Sequence, residues 1–333
     1  GVYRSEDAGE RFTQMTNDAT TYARSWYYMP IIASPNDEDE LWVMNSFAMK
    51  SIDGGRTFEG IKGSHVDHHD LWINHNNSDI MVNANDGGGS IRIPAAYNGL
   101  FGLKPSRGQL PAQGESGAPI EISVQHAVTI SVRDSINLFR DTQLNDGTFA
   151  PLAADLQPVG RRLKIGFTTD SFGGTPVAPE TKTALEDVSK LCAQLGHELV
   201  AWTPPFSGTE FIDKFLLYWA AGAAEFAQQA SAYSGKPIGP EIVEPWTLGL
   251  TNMFMSRKGE FEDAVTWLKN FEAVYDTGFS DIDVLLTPVT GSPAVKLGEQ
   301  APTVDYDTLY ERVISFAAFT APMNVSGAAS MSV

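Results

Sequence analysis

The run Gly87-Gly88-Gly89-Ser90-Ile91-Arg92-Ile93-Pro94 constrains this chain of 333 residues more than any other stretch. Three consecutive glycines let the backbone reach positive φ, so their N–H groups can converge on one point. A serine follows at once. Acyl transfer needs that pairing: a nucleophilic hydroxyl, and preorganised N–H donors for the oxyanion that develops on the attacked carbonyl. The same run also fits, and taken alone more often marks, a glycine-rich turn whose serine caps a helix or faces water.

The run continues as Ala95-Ala96-Tyr97-Asn98-Gly99-Leu100-Phe101-Gly102-Leu103-Lys104-Pro105-Ser106-Arg107-Gly108. From Gly87 to Gly108 it resembles the hallmark segment of the amidase signature family. His126-Ala127-Val128-Thr129 with Ser131-Val132-Arg133-Asp134 is similar to the family's next helix entry. Asp283 to Pro288 is similar to its late buried strand, and Phe316 to Met331 to its Ala-Pro-x-Asn-x-(Ser/Thr)-Gly segment. The resemblance covers residues 87–333. It implies an α/β fold, a mixed sheet flanked by helices, with Ser90 as nucleophile and the amides of Gly87, Gly88 and Gly89 as oxyanion hole. The implied activity is hydrolysis of linear amides, with esters and aryl amides as further substrates, through an acyl-enzyme and without a cofactor or metal. The expected partner is a small-molecule amide or ester.

One part of the family pattern is missing. The family activates its nucleophile with a second serine, in a Gly-Gly-Ser-Ser-Gly-Gly motif roughly two dozen residues upstream, and with a lysine further back. Counting back from Ser90 lands on Lys62-Gly63-Ser64-His65-Val66-Asp67, and Lys50 and Lys62 are the only lysines before the nucleophile.

The first 86 residues resemble another family. Ser5-Glu6-Asp7-Ala8-Gly9-Glu10-Arg11-Phe12 and Ser51-Ile52-Asp53-Gly54-Gly55-Arg56-Thr57-Phe58 are similar to the Asp box of sialidase-like BNR-repeat β-propellers, with Arg11 where threonine is usual. In such a box Ser and Asp bond backbone amides across a hairpin turn, Gly takes the left-handed position, and the aromatic ring packs beneath. The copies lie 46 residues apart, near the period of one four-stranded blade. His68-His69-Asp70-Leu71-Trp72-Ile73 and Asn85-Asp86-Gly87-Gly88 are similar to a further stretch of that repeat. The expectation is a chimera joined at Asp86-Gly87-Gly88: residues 1–86 an all-β segment of about two propeller-type blades, residues 87–333 an amidase-like domain truncated at both ends. A binding module for glycans or proteins, and a chain that keeps the signature without its chemistry, are the alternatives to a working hydrolase.

Composition agrees with a two-part chain. Residues 1–86 hold six Lys and Arg against fourteen Asp and Glu, and the whole chain has a net charge of −18, which argues against nucleic acid or an anionic membrane surface as partner. No apolar run is long enough to span a bilayer, so a soluble, cytoplasmic protein is expected. Cys192 is the single cysteine and excludes an internal disulfide. Its place on the apolar side of a helix predicts a small core residue.

Periodicity supports α/β organisation after residue 87. Leu163–Thr168, Leu199–Trp202 and residues 283–287 read as strands. Pro179–Leu195 reads as a helix with Leu185, Val188, Leu191, Cys192 and Leu195 facing a core. Phe211–Ala232 and Glu260–Thr277 read as long helices, and the apolar side chains of the first (Phe215, Leu217, Tyr218, Trp219, Phe226) as core or as substrate wall.

The cluster His65, Asp67, His68, His69 and Asp70 allows three readings. It could chelate a metal, although Gly63 replaces the first histidine of His-x-His-x-Asp-His. His65, His68, His69, Lys62 or Ser64 could replace the missing activator of Ser90, with Asp67 or Asp70 orienting it. The third and simplest reading is a solvated propeller loop. Arg92, Arg133 and Asp134 read as buried ion-pair or backbone-bracing residues.

Overall fold

The computed structural model of the chain describes residues 1–22, 30–45, 48–60, 68–73, 81–85, 91–111, 118–124, 126–153, 156, 160–296 and 298–333. For Tyr22, 68–73 and 81–85 the backbone alone is described. The chain divides into two compact units, Gly1–Gly89 and Ser90–Val333.

The first unit is built of short antiparallel strands. β1 (Val2–Arg4) pairs with β2 (Thr13–Thr16). β3 (Ile31–Ala33), β4 (Leu41–Met44), β5 (Ala48–Ser51) and β6 (Glu59–Gly60) form a four-stranded meander in sequence order. β7 (His68–Ile73) pairs with β8 (Met81–Asn85). Trp42, Met44 and Ala48 are the meander's buried cluster. Among the described residues the all-β expectation therefore takes the form of three small sheets, and no complete blade is seen there. His68, His69 and Asp70 belong to a paired strand, not to a loop.

Two turns of this unit share one hydrogen-bond scheme. Ser5 Oγ accepts from the Gly9 amide at 2.8 Å and Asp7 from the Arg11 amide at 2.8 Å. Ser51 Oγ accepts from the Gly55 amide at 2.9 Å and Asp53 from the Thr57 amide at 2.9 Å. Gly9 and Gly55 have φ of +93° and +89°, which a side chain would strain. The expected ring packing fails at the first turn, where Phe12 is 64% exposed.

The second unit opens with α1 (Arg92–Asn98), β9 (Phe101–Lys104), β10 (Val128–Thr129) and α2 (Val132–Thr142). There follow β11 (Lys164–Phe167), α3 (Pro179–Gln194), β12 (Glu198–Ala201) and α4 (Gly208–Ser234). α5 (Pro245–Arg257), α6 (Phe261–Lys269), α7 (Phe271–Thr277) and β13 (Val284–Leu286) come next. α8 (Tyr306–Phe316), α9 (Ala321–Val325) and β14 (Ser330–Ser332) complete the unit. Two sheets result: a parallel one in the order β12-β11-β13, and an antiparallel one in the order β10-β9-β14.

Local signals place most boundaries. Ser131, Ser207 and Asp305 accept from the amides of Asp134, Glu210 and Thr308, capping α2, α4 and α8. Gly235 ends α4 in the left-handed conformation. Three expectations need correction. The single helix over Glu260–Thr277 is broken at Asn270, whose amide donates to Trp267 O at 3.2 Å, three residues back, tightening the end of α6. Of the five α3 residues expected inside, only Leu185 is buried; Val188, Leu191 and Leu195 are 44, 53 and 68% exposed and Cys192 is half-buried. α3 lies against the outer strand of a sheet three strands wide, which covers only part of its apolar side. The 283–287 strand also lies at a sheet edge, with Val284 45% exposed.

The core of this unit is aromatic. Phe172 meets Trp202, Phe206 and Phe319 edge-on at 5.5–6.0 Å, and Phe271 packs against Phe206 and Phe211. Trp202 satisfies its indole N–H at Gly278 O, 2.8 Å away. Asp283 joins the starts of β11 and β13: its carboxylate accepts two bonds from Arg161 and one from the Lys164 amide, which hold its pKa down at about 2. Among the described residues no helix is long and apolar enough to cross a membrane.

Candidate active site

The described part of the signature begins one residue after Ser90. Ile91 O accepts the Ala95 amide, so the chain is helical from that point. Pro94 sits in the first turn of α1, where its missing N–H costs nothing. Gly99, with φ +62°, closes the helix by donating to Ala95 O and turns the chain into β9. A side chain at Gly102 would put its Cβ 2.6 Å from Ala95 Cβ and 2.9 Å from Ile91 O. Only glycine lets β9 approach the helix that follows Ser90 so closely.

Two arginines fasten this hairpin of helix and strand to residues 320–327. Arg92 is 3% exposed, and its guanidinium donates to Thr320 O at 2.8 Å and to Asn324 Oδ1. Arg107 donates from Nε to Glu121 O at 2.9 Å, and from Nη2 to Asn324 O at 3.1 Å and Val325 O at 2.5 Å. Its own amide bonds Gly327 O at 2.9 Å. Gly327 has φ +77°, and a Cβ there would lie 3.0 Å from the Arg107 side chain. β14 then returns along β9, pairing Ser330 with Lys104.

Between the arginines lies Lys104, 4% exposed, whose ammonium donates to Pro105 O at 2.9 Å. Burial, reinforced by the charges of Arg92 and Arg107, pushes its pKa down to about 7. Burial likewise lowers the pKa of Arg92 to about 10, leaving it charged at neutral pH. The buried Tyr275 phenol is pushed up by desolvation, against the opposing pull of Arg92. Around the signature, then, the protein gathers three basic side chains, and Glu272 pairs with one of them, 3.4 Å from Arg107.

Ser90, Gly87, Gly88 and Gly89 lie outside the described residues, as do Lys62, Ser64, His65 and Asp67. His68 and His69 are described in backbone only, in β7. Lys50 is engaged elsewhere: it pairs with Glu40 at 2.5 Å and lies over the Trp42 ring. Arg92 braces backbone, as expected, but through a carbonyl and an amide oxygen rather than an ion pair. Arg133 and Asp134 are exposed, and Asp134 serves the α2 cap. The long apolar helices are mostly core: Phe211, Leu217, Leu268, Phe271 and Tyr275 are buried, whereas Trp219 and Phe226 face solvent at 40 and 48% exposure. Arg107, Lys104 and Asn324 were not foreseen as one cluster. The available signal was a lysine and an arginine, Lys104 and Arg107, set directly after the apolar Phe101-Gly102-Leu103 run of the signature.

A mixed α/β core in which the segment 92–107 is clamped through Arg92 and Arg107 to a late Ala-Pro-Met-Asn-Val-Ser-Gly segment defines the class of fold. The chain belongs to the Amidase family, whose model matches residues 81–333. AmiC of Mycobacterium tuberculosis is 33% identical over 255 residues, 76% of this chain and 54% of that protein. The lipoamidase of Enterococcus faecalis is 27% identical, over 76% of this chain and 37% of its own length. The chain thus spans about half, or less, of the curated relatives it matches. Two solved structures share the fold: 6-aminohexanoate cyclic dimer hydrolase complexed with substrate (TM-score 0.60, 23% identity, 73% of this chain and 55% of that one) and a bacterial aryl acylamidase (0.54, 22%, 74% and 54%).

Proposed function

We propose that this protein is a serine hydrolase of linear amides, with esters and aryl amides as further substrates. Ser90 Oγ attacks the acyl carbon, and the amides of Gly87, Gly88 and Gly89 receive the oxyanion. Collapse of the tetrahedral intermediate breaks the C–N bond; the amine leaves with the proton taken from the serine. Water then cleaves the ester, releasing a carboxylic acid and restoring the hydroxyl. Lys62, Ser64, His65, His68 and His69 are the candidate proton acceptors, oriented by Asp67 or Asp70.

The observation that carries this reading is the bracket around the signature. Arg92 and Arg107 tie residues 92–107 to residues 320–327, both inside the family match, so the chain leaving Ser90 enters a fixed frame. Related proteins named lipoamidase, aryl acylamidase and cyclic dimer hydrolase support the reaction class. A fluorophosphonate probe tests it: labelling at Ser90, lost in Ser90→Ala, together with p-nitroanilide hydrolysis, is the expected result. Equal labelling of both proteins, or of neither, identifies a chain that keeps the signature without the chemistry.

For residues 1–86 we infer a BNR-type propeller fragment acting as a binding module, favoured by the matching Ser–Asp–Gly bonding of the turns at Ser5 and Ser51. Glycan-array binding by the full chain, lost when Asp7 and Asp53 are both changed to Ala, is the expected outcome; binding unaffected by that change refutes it.

A further inference from the structure

In an open parallel sheet, ligands settle beyond the carboxyl ends of the strands. Among the described residues β11 is the central strand of the parallel sheet, and β13 runs beside it in the same direction. From β11 the chain runs on through residues 168–178 to α3 and to β12 on one side, while β13 pairs on the other side and leaves through residues 287–295. The two exit segments are bound together: the Ala178 amide donates to Gly291 O at 2.8 Å, and the Gly291 amide to Phe316 O at 2.9 Å. Gly291 is required there, since a Cβ would fall 2.0 Å from Ser315 O.

These segments and α8 enclose a crevice of about 550 Å³. That size suits a small organic ligand. Val177, Val295 and Phe316 supply apolar wall, Ser292 and Gln300 neutral hydrogen-bonding groups. Two charged side chains, Arg312 and Glu299, line it. Glu299 is engaged, accepting from the Lys296 amide at 3.1 Å. Among the described residues the Arg312 guanidinium donates one bond, to Glu299 O at 2.5 Å, and enters no ion pair. Asp305, the acid whose charge it feels, spends its carboxylate on the Thr308 amide at the start of α8. A guanidinium with free donors at the edge of an apolar crevice selects a planar two-oxygen anion.

We propose that this crevice binds a carboxylate with an apolar body, through Arg312 and the Val177–Val295–Phe316 wall. The proposal deepens the amidase reading and in that sense rests on it, because hydrolysis of an amide yields a carboxylic acid. The ligand is either the acid released or the carboxylate tail of an amide substrate; both present the same group to Arg312.

The test is calorimetric titration of the full chain with 4-phenylbutyrate and its neutral isostere 4-phenylbutyramide. The acid should bind at least tenfold more tightly than the amide, and more weakly as salt rises. Arg312→Gln should lower acid affinity tenfold or more without changing the amide's; Arg312 is exposed, so the fold tolerates the change. Val177→Trp, which fills the crevice, should abolish both. Equal binding of acid and amide, or acid binding indifferent to Arg312→Gln, overturns the proposal. Where turnover is measurable, a KM raised by Arg312→Gln for an amide carrying a tail carboxylate, and not for its uncharged analogue, assigns the site to the substrate's tail; an unchanged KM with acid binding lost assigns it to the released acid. Fluorophosphonate labelling of the parent chain, read beside its titration, separates the two readings. No labelling of the parent with acid binding retained sinks the hydrolase alone, and labelling at Ser90 without acid binding sinks the crevice alone.

Discussion

Replacing Lys104 by Met should stabilise the second unit at neutral pH, and by an amount that depends on pH in a defined way. In the unfolded chain the lysine titrates near 10.5; folded, with 4% of its surface exposed and Arg92 and Arg107 close, it titrates at about 7. Between those values the unfolded chain holds one more proton than the folded one. Stability therefore rises with pH by about 1.4 kcal/mol per pH unit across that window and is flat outside it. The separation of about 3.5 pH units amounts to about 5 kcal/mol at most. Methionine fills similar volume and carries no proton, at the loss of one hydrogen bond to Pro105 O worth about 1 kcal/mol. Urea denaturation followed by tryptophan fluorescence, run on both proteins at pH 7, 8, 9 and 10, gives the difference directly. The variant's advantage should be several kcal/mol at pH 7 and shrink by about 2 kcal/mol between pH 7 and 9. An advantage that does not change across that range would show that Lys104 titrates normally and is not a buried, unpaired cation.

Other perturbations bear on the same frame. Gly102→Ala should cost about 1–3 kcal/mol by forcing α1 off β9, and the fluorophosphonate labelling rate should fall with it; unchanged melting and labelling would refute the packing argument. Arg107→Met leaves the carbonyls of Glu121, Asn324 and Val325 without their donor and should cost about 2–4 kcal/mol by urea unfolding. Arg107→Lys should recover less than half of that, because one ammonium cannot serve positions spread around a planar fork. Phe271→Ala, at 1% exposure in the aromatic core, should cost about 3–5 kcal/mol; a melting temperature within a degree of the parent's would place Phe271 outside the core.

What could be read in advance follows the range of the interactions. The turns at Ser5 and Ser51 close through bonds spanning four residues or fewer, so eight letters of sequence specify them. The same holds for the caps at Ser131 and Ser207 and the left-handed glycines that end α1 and α4. The signature likewise announced the family, because its glycines answer to a helix and strand adjacent in the chain. The bracket behind it was not readable. Arg92 reaches Thr320 and Arg107 reaches Asn324 across more than two hundred residues, and no local pattern encodes such partners.

Burial separated from pattern for the same reason. α3 has an apolar face by spacing, yet the width of the neighbouring sheet leaves Leu191 and Leu195 in solvent. Lys104 is polar by sequence and sits inside, since β14 and the 320–327 segment close over β9. Short-range sterics and hydrogen bonding are written residue by residue, and they decided the turns, the caps and the close packing of α1 on β9. Which side chains lose water depends on what the rest of the chain lays against them, and that was decided only when the distant segments packed.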